Sequence, residues 1–307
     1  MQKKILAVYY TQSGQLKQIL DHFLQPLISA GHEVEFLNIQ TVRKFPFPWP
    51  IPVFFDTVPE SVDVVAEALE PWQTRHSQYD IVVLGWQPWH LSPSIPFCSL
   101  MQDEKFKALI KDTPVITISG CRNMWINAME KNKKLIHDAG ARHVGNIALV
   151  DKNPNHLSYF TIFHWLGTGQ KTRKWGVFPR PGVAEDDIKN ASAYGQTVKQ
   201  ILDTGNWNEL QPRLIKQKAV DVKYNLMFIE RKAGKIFKKW VQIIHKNPKK
   251  RKQILVLYKY YLDIALLGAS PIILFVDLIC FKPFSKKKNK RLVEYYSGVE
   301  YDPAFSK

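Results

Sequence analysis

Strand-length apolar segments alternate with segments of helical pattern over the first 150 residues. The apolar segments cover residues 4–9, 32–39, 79–86, 114–119 and 143–150. Those at 79–86 and 114–119 are almost continuously apolar, as in strands of a sheet that is covered on both faces. A strand–helix–strand alternation implies parallel strands joined by right-handed crossovers. We therefore predict an α/β fold built on a doubly wound, five-stranded parallel sheet.

The first predicted strand ends in a polar turn that leads into a predicted helix over residues 17–28. This turn contains hydroxyl and amide side chains and one glycine, in the order Thr11, Gln12, Ser13, Gly14, Gln15 and Leu16. A helix N-terminus offers N–H groups that lack intrahelical partners, and the helix dipole adds positive potential there. Because no Lys or Arg lies in the turn, we predict a phosphate held by N–H and O–H donors. An ordinary polar connection is the alternative interpretation.

Two further loops are expected beside this turn. In doubly wound sheets the ligand binds beyond the carboxyl ends of the strands, where the strand order reverses. The loop after the third strand contains Gln87, Pro88, Trp89 and His90, and the loop after the fourth contains Ser119, Gly120, Cys121, Arg122 and Trp125. Indoles suit stacking on a flat, electron-poor ring, and a guanidinium would stabilise an anionic reduced flavin. The three loops together predict a site for FMN.

The turn also resembles the phosphate loop of flavodoxins, whose pattern is Thr/Ser-x-Thr-Gly-x-Thr. Thr11, Ser13 and Gly14 follow this pattern, whereas Leu16 stands where the last hydroxyl is usual. The resemblance implies a flavodoxin-like fold, with Gln12 or Gln15 in place of the missing hydroxyl.

His90 and Arg122 are the candidate catalytic residues, and each has a structural alternative. His90 is the predicted proton acceptor, or else a hydrogen-bonded loop histidine. Arg122 is predicted to polarise the flavin or a substrate carbonyl, or else to pair with a carboxylate. Trp125 has the alternative of a core position. Cys121 has no neighbouring base that would activate a thiol, and the three cysteines predict no disulfide framework and no metal site.

Charge divides the chain into a neutral and a strongly basic part. Residues 1–212 contain 21 Lys or Arg and 20 Asp or Glu, whereas residues 213–307 contain 22 and 7. We predict three parts: an FMN-binding domain at 1–150, an aromatic-rich extension at 151–212, and a basic helical tail at 213–307. The Pro-rich aromatic segment at 43–59 and the aromatic segment at 156–178 are expected to wall an apolar pocket over the flavin.

The basic tail contains an apolar segment of 18 residues, 264–281, with Asp277 as its one charge. As a helix it would span about 27 Å, against about 30 Å for a hydrocarbon core. Since Lys and Arg flank it on both sides, we predict that it lies in the anionic cytoplasmic surface of a membrane. A buried helix, at a homodimer interface or in a soluble domain, is the alternative, and the apolar run disfavours nucleic acid as partner. No signal-peptide pattern is recognised, so a cytoplasmic location is expected.

Three segments resemble the bacterial proteins named dialkylresorcinol condensing enzymes. These are KILAVYYTQSGQL at residues 4–16, KFPFPW at 44–49 and GWQPWHLSPSIP at 85–96. In that family a ketosynthase-like partner is assigned the carbon–carbon bonds of flexirubin-type and related aryl lipids. The resemblance implies that the flavodoxin-like member aromatises a dialkylcyclohexanedione, a lipophilic substrate, to a dialkylresorcinol.

The predicted function is therefore that of an FMN-dependent oxidoreductase. Removal of two hydrogens from a cyclohexanedione requires a hydride acceptor and a base, and flavins accept hydride. A thiolase-type nucleophile is not evident in the sequence, which disfavours a condensing role. Two alternatives are an NAD(P)H-dependent quinone reductase and a non-catalytic, membrane-anchored electron carrier.

Overall fold

The central sheet contains five parallel strands. The structure is a computed structural model that describes residues 1–305, except for the side chains of residues 281 and 283. The strands are β1 (Lys4–Tyr9), β2 (Glu33–Asn38), β3 (Ile81–Trp86), β4 (Pro114–Cys121) and β5 (Arg142–Val150). Their order across the sheet is β2-β1-β3-β4-β5, and every pair is parallel. This is the flavodoxin-like doubly wound order, so the predicted fold class is confirmed.

The middle strands are buried on both faces, as their apolar composition predicts. All six residues of β3 are buried. Successive side chains of a strand point to opposite faces, so Val82 and Leu84 enter one apolar cluster and Ile81 and Val83 enter the other. Each cluster needs its own layer of helices, because a bare apolar face would remain in water.

Fourteen helices cover this sheet and extend beyond it over the described part of the chain. They are α1 (Gln15–Ser29), α2 (Ile51–Asp56), α3 (Val58–Val62), α4 (Ile95–Met101), α5 (Glu104–Ile110), α6 (Ile126–Asp138), α7 (Asn155–Thr168), α8 (Glu185–Lys189), α9 (Ala191–Thr204), α10 (Leu210–Lys216), α11 (Tyr224–Lys246), α12 (Arg251–Ile264), α13 (Ser270–Val276) and α14 (Lys286–Ser297). Single π-helical turns follow α12 and α13, so that residues Pro248–Cys280 form one continuous helix.

Helices that follow the last strand of the sheet complete both layers. On one face α1 packs against α9, and α10 packs against β5. On the other face, Leu292 and Tyr296 of α14 are buried in the same cluster as Leu84 of β3. The basic segment after residue 212 thus supplies core side chains to the sheet, while its lysines stay at the surface. The division into parts at residues 1–150, 151–212 and 213–307 remains a prediction.

α11 and the helix Pro248–Cys280 form an antiparallel hairpin. Phe237 and Val241 of α11 pack with Ile254 and Tyr258 of α12 in a separate apolar cluster. Within residues 1–305, Pro248–Cys280 is the one helix that is long and apolar enough to cross a membrane, judged by length and composition. Only 11% of its most apolar window is buried. Most of this apolar surface is therefore left uncovered by the protein.

The contact between α1 and α9 depends on Gly195. A Cβ atom at this position would lie 2.0 Å from the backbone oxygen of Phe23 in α1. We expect Gly195→Ala to lower the free energy of unfolding by about 3 kcal/mol, because the two backbones would have to separate. Urea unfolding monitored by circular dichroism measures this change.

Gly268 provides the matched control, since no atom lies within 4 Å of a Cβ built there. We expect Gly268→Ala to be neutral or to stabilise by up to about 1 kcal/mol, the usual gain in helix propensity. Equal effects of the two substitutions would contradict the proposed close approach of α1 and α9.

Candidate functional site

A cavity of about 430 Å³ lies beyond the carboxyl ends of β1, β3 and β4. It is placed where the strand order reverses, which is the position predicted for a ligand. Most of the predicted site residues line it together: Gln12, Ser13, Gln15, Leu16, Gln87, Pro88, Trp89, His90, Gly120, Cys121 and Arg122. The remaining predicted residues, Thr11, Gly14, Ser119 and Trp125, are not in its lining.

The turn after β1 presents free donors towards this cavity. Gly14 adopts a left-handed conformation with φ of 84°, and its N–H donates to Thr11 Oγ1 at 3.1 Å. The first bond of helix α1 joins the N–H of Gln18 to the oxygen of Gly14. The N–H groups of residues 15–17 therefore have no intrahelical partner. Ser13 Oγ also makes no hydrogen bond with any described residue. Thr11 thus shapes the turn, whereas Ser13 and the helix N-terminus are available to an anion.

The amide side chains of the turn are engaged in holding other loops. Gln12 accepts from Tyr10 Oη at 2.7 Å and donates to Pro46 O at 2.7 Å. Gln15 exchanges two hydrogen bonds with the backbone of Val183, at 3.1 and 3.3 Å. Because both amides are engaged in this way, neither is free to make the phosphate contact of the hydroxyl that flavodoxins have at the position of Leu16. Instead, they fix the Pro-rich loop and the loop around Val183 beside the phosphate turn.

An aromatic cluster forms one wall of the cavity. The ring of Trp89 lies 4.6 Å from Trp49, 5.0 Å from Phe45 and 5.8 Å from Tyr10, measured between centroids. Phe45 and Trp49 belong to the Pro-rich segment, which thus contributes to the pocket wall as the sequence predicted. Trp125, by contrast, is 2% exposed and packs in the core cluster beneath α6. The core alternative is the one observed for that indole.

His90 is held in a mainly apolar environment. Its Nε2 lies 3.1 Å from Phe54 O and 3.2 Å from Thr57 Oγ1. Burial lowers the pKa of His90 to about 4, so the ring is neutral near pH 7. The contact with a carbonyl assigns the proton to Nε2, which leaves only Nδ1 to accept one. These contacts match the hydrogen-bonded loop histidine, and the low pKa makes His90 a weak base; its catalytic role remains a prediction.

Arg122 is half-buried in the loop that follows β4. Its Nη1 donates to the backbone oxygen of Asn155 at 3.1 Å and to Asn155 Oδ1 at 2.9 Å. The guanidinium lies 6.0 Å from the ring centroid of Tyr159. Burial lowers the pKa of Arg122, and no ion pair of this side chain is found in the described chain. Arg122 therefore brings a positive charge to the cavity and positions the N-terminus of α7.

The two cysteines near the site are buried thiols. Burial raises the pKa of Cys121 well above its ordinary value and that of Cys98 to about 12. Thiols in such apolar surroundings are poor nucleophiles. Among residues 1–305, no group of three or more His, Cys, Asp or Glu side chains could hold a metal ion.

One polar pair at the cavity was missed by sequence reasoning. Tyr159 on α7 lines the cavity and donates from its Oη to Asp263 Oδ1 at 2.5 Å. Asp263 also pairs with Lys259 at 3.0 Å. A single carboxylate within the largely apolar sequence of α12 was the one available signal.

Gln87, a predicted site residue, has a buried Nε2 donor in the lining. This donor has no partner among the described residues.

The part of the cavity that the C-terminal hairpin lines is mainly apolar, with Lys232, Tyr261 and Ser270 as its polar side chains. Its apolar side chains come from α11, α12, α13 and the turn between the last two: Ile229, Ala233, Ile236, Phe237, Leu262, Ile264, Ala265, Leu266, Ala269 and Ile273. Phe54 and Phe163 continue this apolar surface on the opposite side. The cavity thus joins a floor of hydrogen-bond donors to an apolar chamber.

Comparison with known proteins gave matches only among solved structures. A flavoprotein from Lactobacillus acidophilus, solved in complex with FMN, is 15% identical with a TM-score of 0.39, over 48% of this chain and 93% of that one. A flavodoxin from the domain Archaea is 11% identical with a TM-score of 0.36, over 65% and 99%. A flavone reductase is 11% identical with a TM-score of 0.37, over 65% and 63%. No protein-family model and no curated protein matches the chain. The fold assignment rests on the strand order.

The low pKa of His90 gives a pH-dependent contribution to stability. The unfolded chain binds a proton at this side chain below about pH 6.5, whereas the folded protein does so only below about pH 4, so stability falls as pH falls between these values. At about pH 5 the loss amounts to about 2 kcal/mol. We therefore expect the destabilisation caused by His90→Gln to shrink by that amount between about pH 7.5 and pH 5, measured by urea unfolding.

Burial also lowers the pKa of His143, to about 3, and this acts in the same direction, so the quantity to measure is the difference in stability between wild type and the His90→Gln variant. A difference that is equal at the two pH values would show that His90 has the same pKa in the folded and the unfolded protein, which would contradict the lowered pKa.

Proposed function

We propose that this protein is an FMN-dependent oxidoreductase that acts on a lipophilic ring substrate. The observation that carries the proposal is the single cavity, in which a floor of anion-binding and polar donors continues into an apolar chamber. An electron carrier needs only the floor. A chamber lined by ten apolar side chains of the C-terminal hairpin is expected where a second, apolar molecule has to reach the flavin.

The residues present fit FMN. Within residues 1–305, Ser13 Oγ and the N–H groups of residues 15–17 are donors without partners, as a phosphate requires. Gln87 Nε2 is a buried donor that finds no partner in the same part of the chain, and the carbonyl oxygens and ring nitrogens of a flavin are acceptors. Trp89 offers an aromatic surface, and Arg122 brings a positive charge to the same cavity. FMN, when bound, supplies a two-electron acceptor for hydride.

The resemblance in sequence narrows the substrate to a dialkylcyclohexanedione, which a ketosynthase-like partner would supply. Conversion to a dialkylresorcinol removes two hydrogens, one as a hydride with its electron pair and one as a proton. FMN, when bound, would accept the hydride, and a base of the protein would accept the proton. The apolar chamber suits the alkyl chains, and Arg122, which lines the same cavity, would polarise a ring oxygen.

Two groups in the cavity are candidates for the proton. His90 offers only Nδ1 and is a weak base. Tyr159 lines the cavity, and its hydroxyl donates to the carboxylate of Asp263, which lies behind it. When the phenol oxygen of Tyr159 accepts a proton from the substrate, its own proton can pass along the hydrogen bond to the carboxylate of Asp263. His90 and the pair of Tyr159 and Asp263 are therefore both candidates to accept the proton.

The proposal is tested by the cofactor and by the direction of electron flow. We expect the purified protein to show flavin absorption at about 350–500 nm, or to acquire it on addition of FMN. Under anaerobic conditions, a dialkylcyclohexanedione should bleach this absorption, while NAD(P)H should not. The organic product, identified by mass spectrometry, should be two hydrogens lighter than the substrate.

A protein that takes up no FMN would exclude both this activity and a quinone reductase. Bleaching by NAD(P)H alone would assign the protein to the quinone reductases instead. FMN binding without bleaching by either compound would leave the flavin as a carrier of electrons between proteins.

The floor of the cavity can be tested through FMN affinity. We expect Ser13→Ala and Gln87→Leu each to raise the Kd for FMN by about tenfold, since each loses a hydrogen bond to a charged or polar acceptor. FMN fluorescence quenching on binding measures this Kd. Ser192→Ala on α9, whose hydroxyl donates to Lys189 O, is the matched control and should leave the Kd unchanged.

A further inference from the structure

The outer face of the helix Pro248–Cys280 is an exposed apolar surface. Ile264 is 69% exposed, Ile272 is 66% exposed and Phe275 is 63% exposed. Other large apolar side chains of the same helix are also exposed: Val256, Leu257, Leu267, Ile273, Val276, Leu278 and Ile279. Contiguous exposed apolar surfaces of this kind mark an interaction site. We call these residues the outer apolar face.

The helix that carries the outer apolar face is fixed to the protein near both ends. Tyr258, near one end, is fully buried against Phe237 and Trp240 of α11. Asp277, near the other, is 2% exposed and accepts from Tyr224 Oη at 2.9 Å. The single charge of the apolar segment is thus buried in the protein rather than presented to its surroundings. A helix fixed along its length can offer one face to a membrane but cannot cross it independently.

Positive charge flanks the outer apolar face at both ends. Before it lie Lys249, Lys250 and Lys252, all exposed, and beyond it lie Lys286, Lys287 and Lys288, also exposed. An apolar face between two groups of lysines is the arrangement of a helix that lies in the plane of an anionic membrane surface. A second copy of this chain would instead place equal positive groups against each other, which disfavours a dimer through this face.

The cavity reaches the surface within the same face. Ile264 and Ile273 belong both to the cavity lining and to the outer apolar face, with 69% and 40% of their surfaces exposed. On α7, which lines the cavity with Tyr159 and Phe163, Phe160 is also 38% exposed. The apolar chamber is therefore continuous with the exposed face of the hairpin.

We propose that an anionic membrane leaflet covers the outer apolar face, and that the cavity opens into this leaflet between Ile264 and Ile273. A lipophilic substrate then passes from the acyl-chain region to the chamber without crossing water. The proposal that a membrane docks here depends only on the outer apolar face and the lysines that flank it. The passage of substrate rests on the proposed function.

Fluorescent labels on the protein and quenchers attached to lipids distinguish a helix that lies in the membrane surface from one that spans the membrane and from one that does not touch it. Cys280 is exposed, whereas Cys98 and Cys121 are buried, so bimane can be attached at Cys280 alone. In a Cys280→Ser background, Ile264→Cys places the label at the mouth of the cavity. Ile28→Cys places it near the C-terminus of α1, away from the carboxyl edge of the sheet, as the control. Vesicles of phosphatidylcholine and phosphatidylglycerol carry a nitroxide either near the headgroup or near the chain end.

We expect strong quenching at residues 264 and 280 by the shallow nitroxide, weaker quenching by the deep one, and none at residue 28. Quenching at residue 280 alone would place the mouth in water and overturn the proposal. Stronger quenching by the deep nitroxide would show a spanning helix, and absence of quenching would exclude a membrane; each result would also overturn it.

Vesicle sedimentation supplies a second test with a matched pair of substitutions. We expect Phe275→Asp to weaken binding to the same vesicles by about tenfold, because it introduces a charge into the outer apolar face. Ile28→Asp introduces the same charge at another exposed apolar position and should have no effect. Equal effects of the two variants would contradict the docking surface. FMN absorbance of the same samples reports separately on the proposed function, so that a failure of either hypothesis is recognised.

Discussion

The fold depends on the burial of both faces of the sheet. β3 lies in the middle, and all six of its residues are buried between the two helical layers. Segments close in sequence do not supply enough cover. The layer of α1 is completed by α9 and α10, and the layer of α6 includes side chains of α14. The requirement to cover a parallel sheet on both sides thus brings distant, strongly basic segments into the core.

The same packing determines the shape of the site. Since α11 packs beside α3 and α6, the hairpin that it forms with α12 extends over the carboxyl edge of the sheet. There it covers the loops that contain Ser13, Gln87 and Arg122. The hairpin therefore contributes its inner face to the cavity and leaves its outer face exposed. A single structural element connects a polar cofactor floor to an apolar surface.

Burial also changes what individual side chains can do. His90 looks like a base in the sequence, yet its surroundings lower its pKa to about 4 and its Nε2 is bonded to Phe54 O. Gln12 and Gln15 look like phosphate ligands, yet both hold neighbouring loops. Tyr159 and Asp263 come together from helices α7 and α12, about a hundred residues apart in sequence, and their hydrogen bond places a polar pair beside the apolar chamber.

The sequence by itself determined the five strands, their parallel arrangement and the three loops of the site, because these follow from local apolar runs and from the direction in which parallel strands end. It also determined that the tail is basic and contains a long apolar segment. Only the tertiary structure decided which side of that segment is buried, since the partner of Asp277 is Tyr224, a contact that no local pattern encodes. For the same reason, the sequence could not show which of the side chains of Gln12, Gln87 and His90 already have hydrogen-bond partners. Those partners come from segments far apart along the chain.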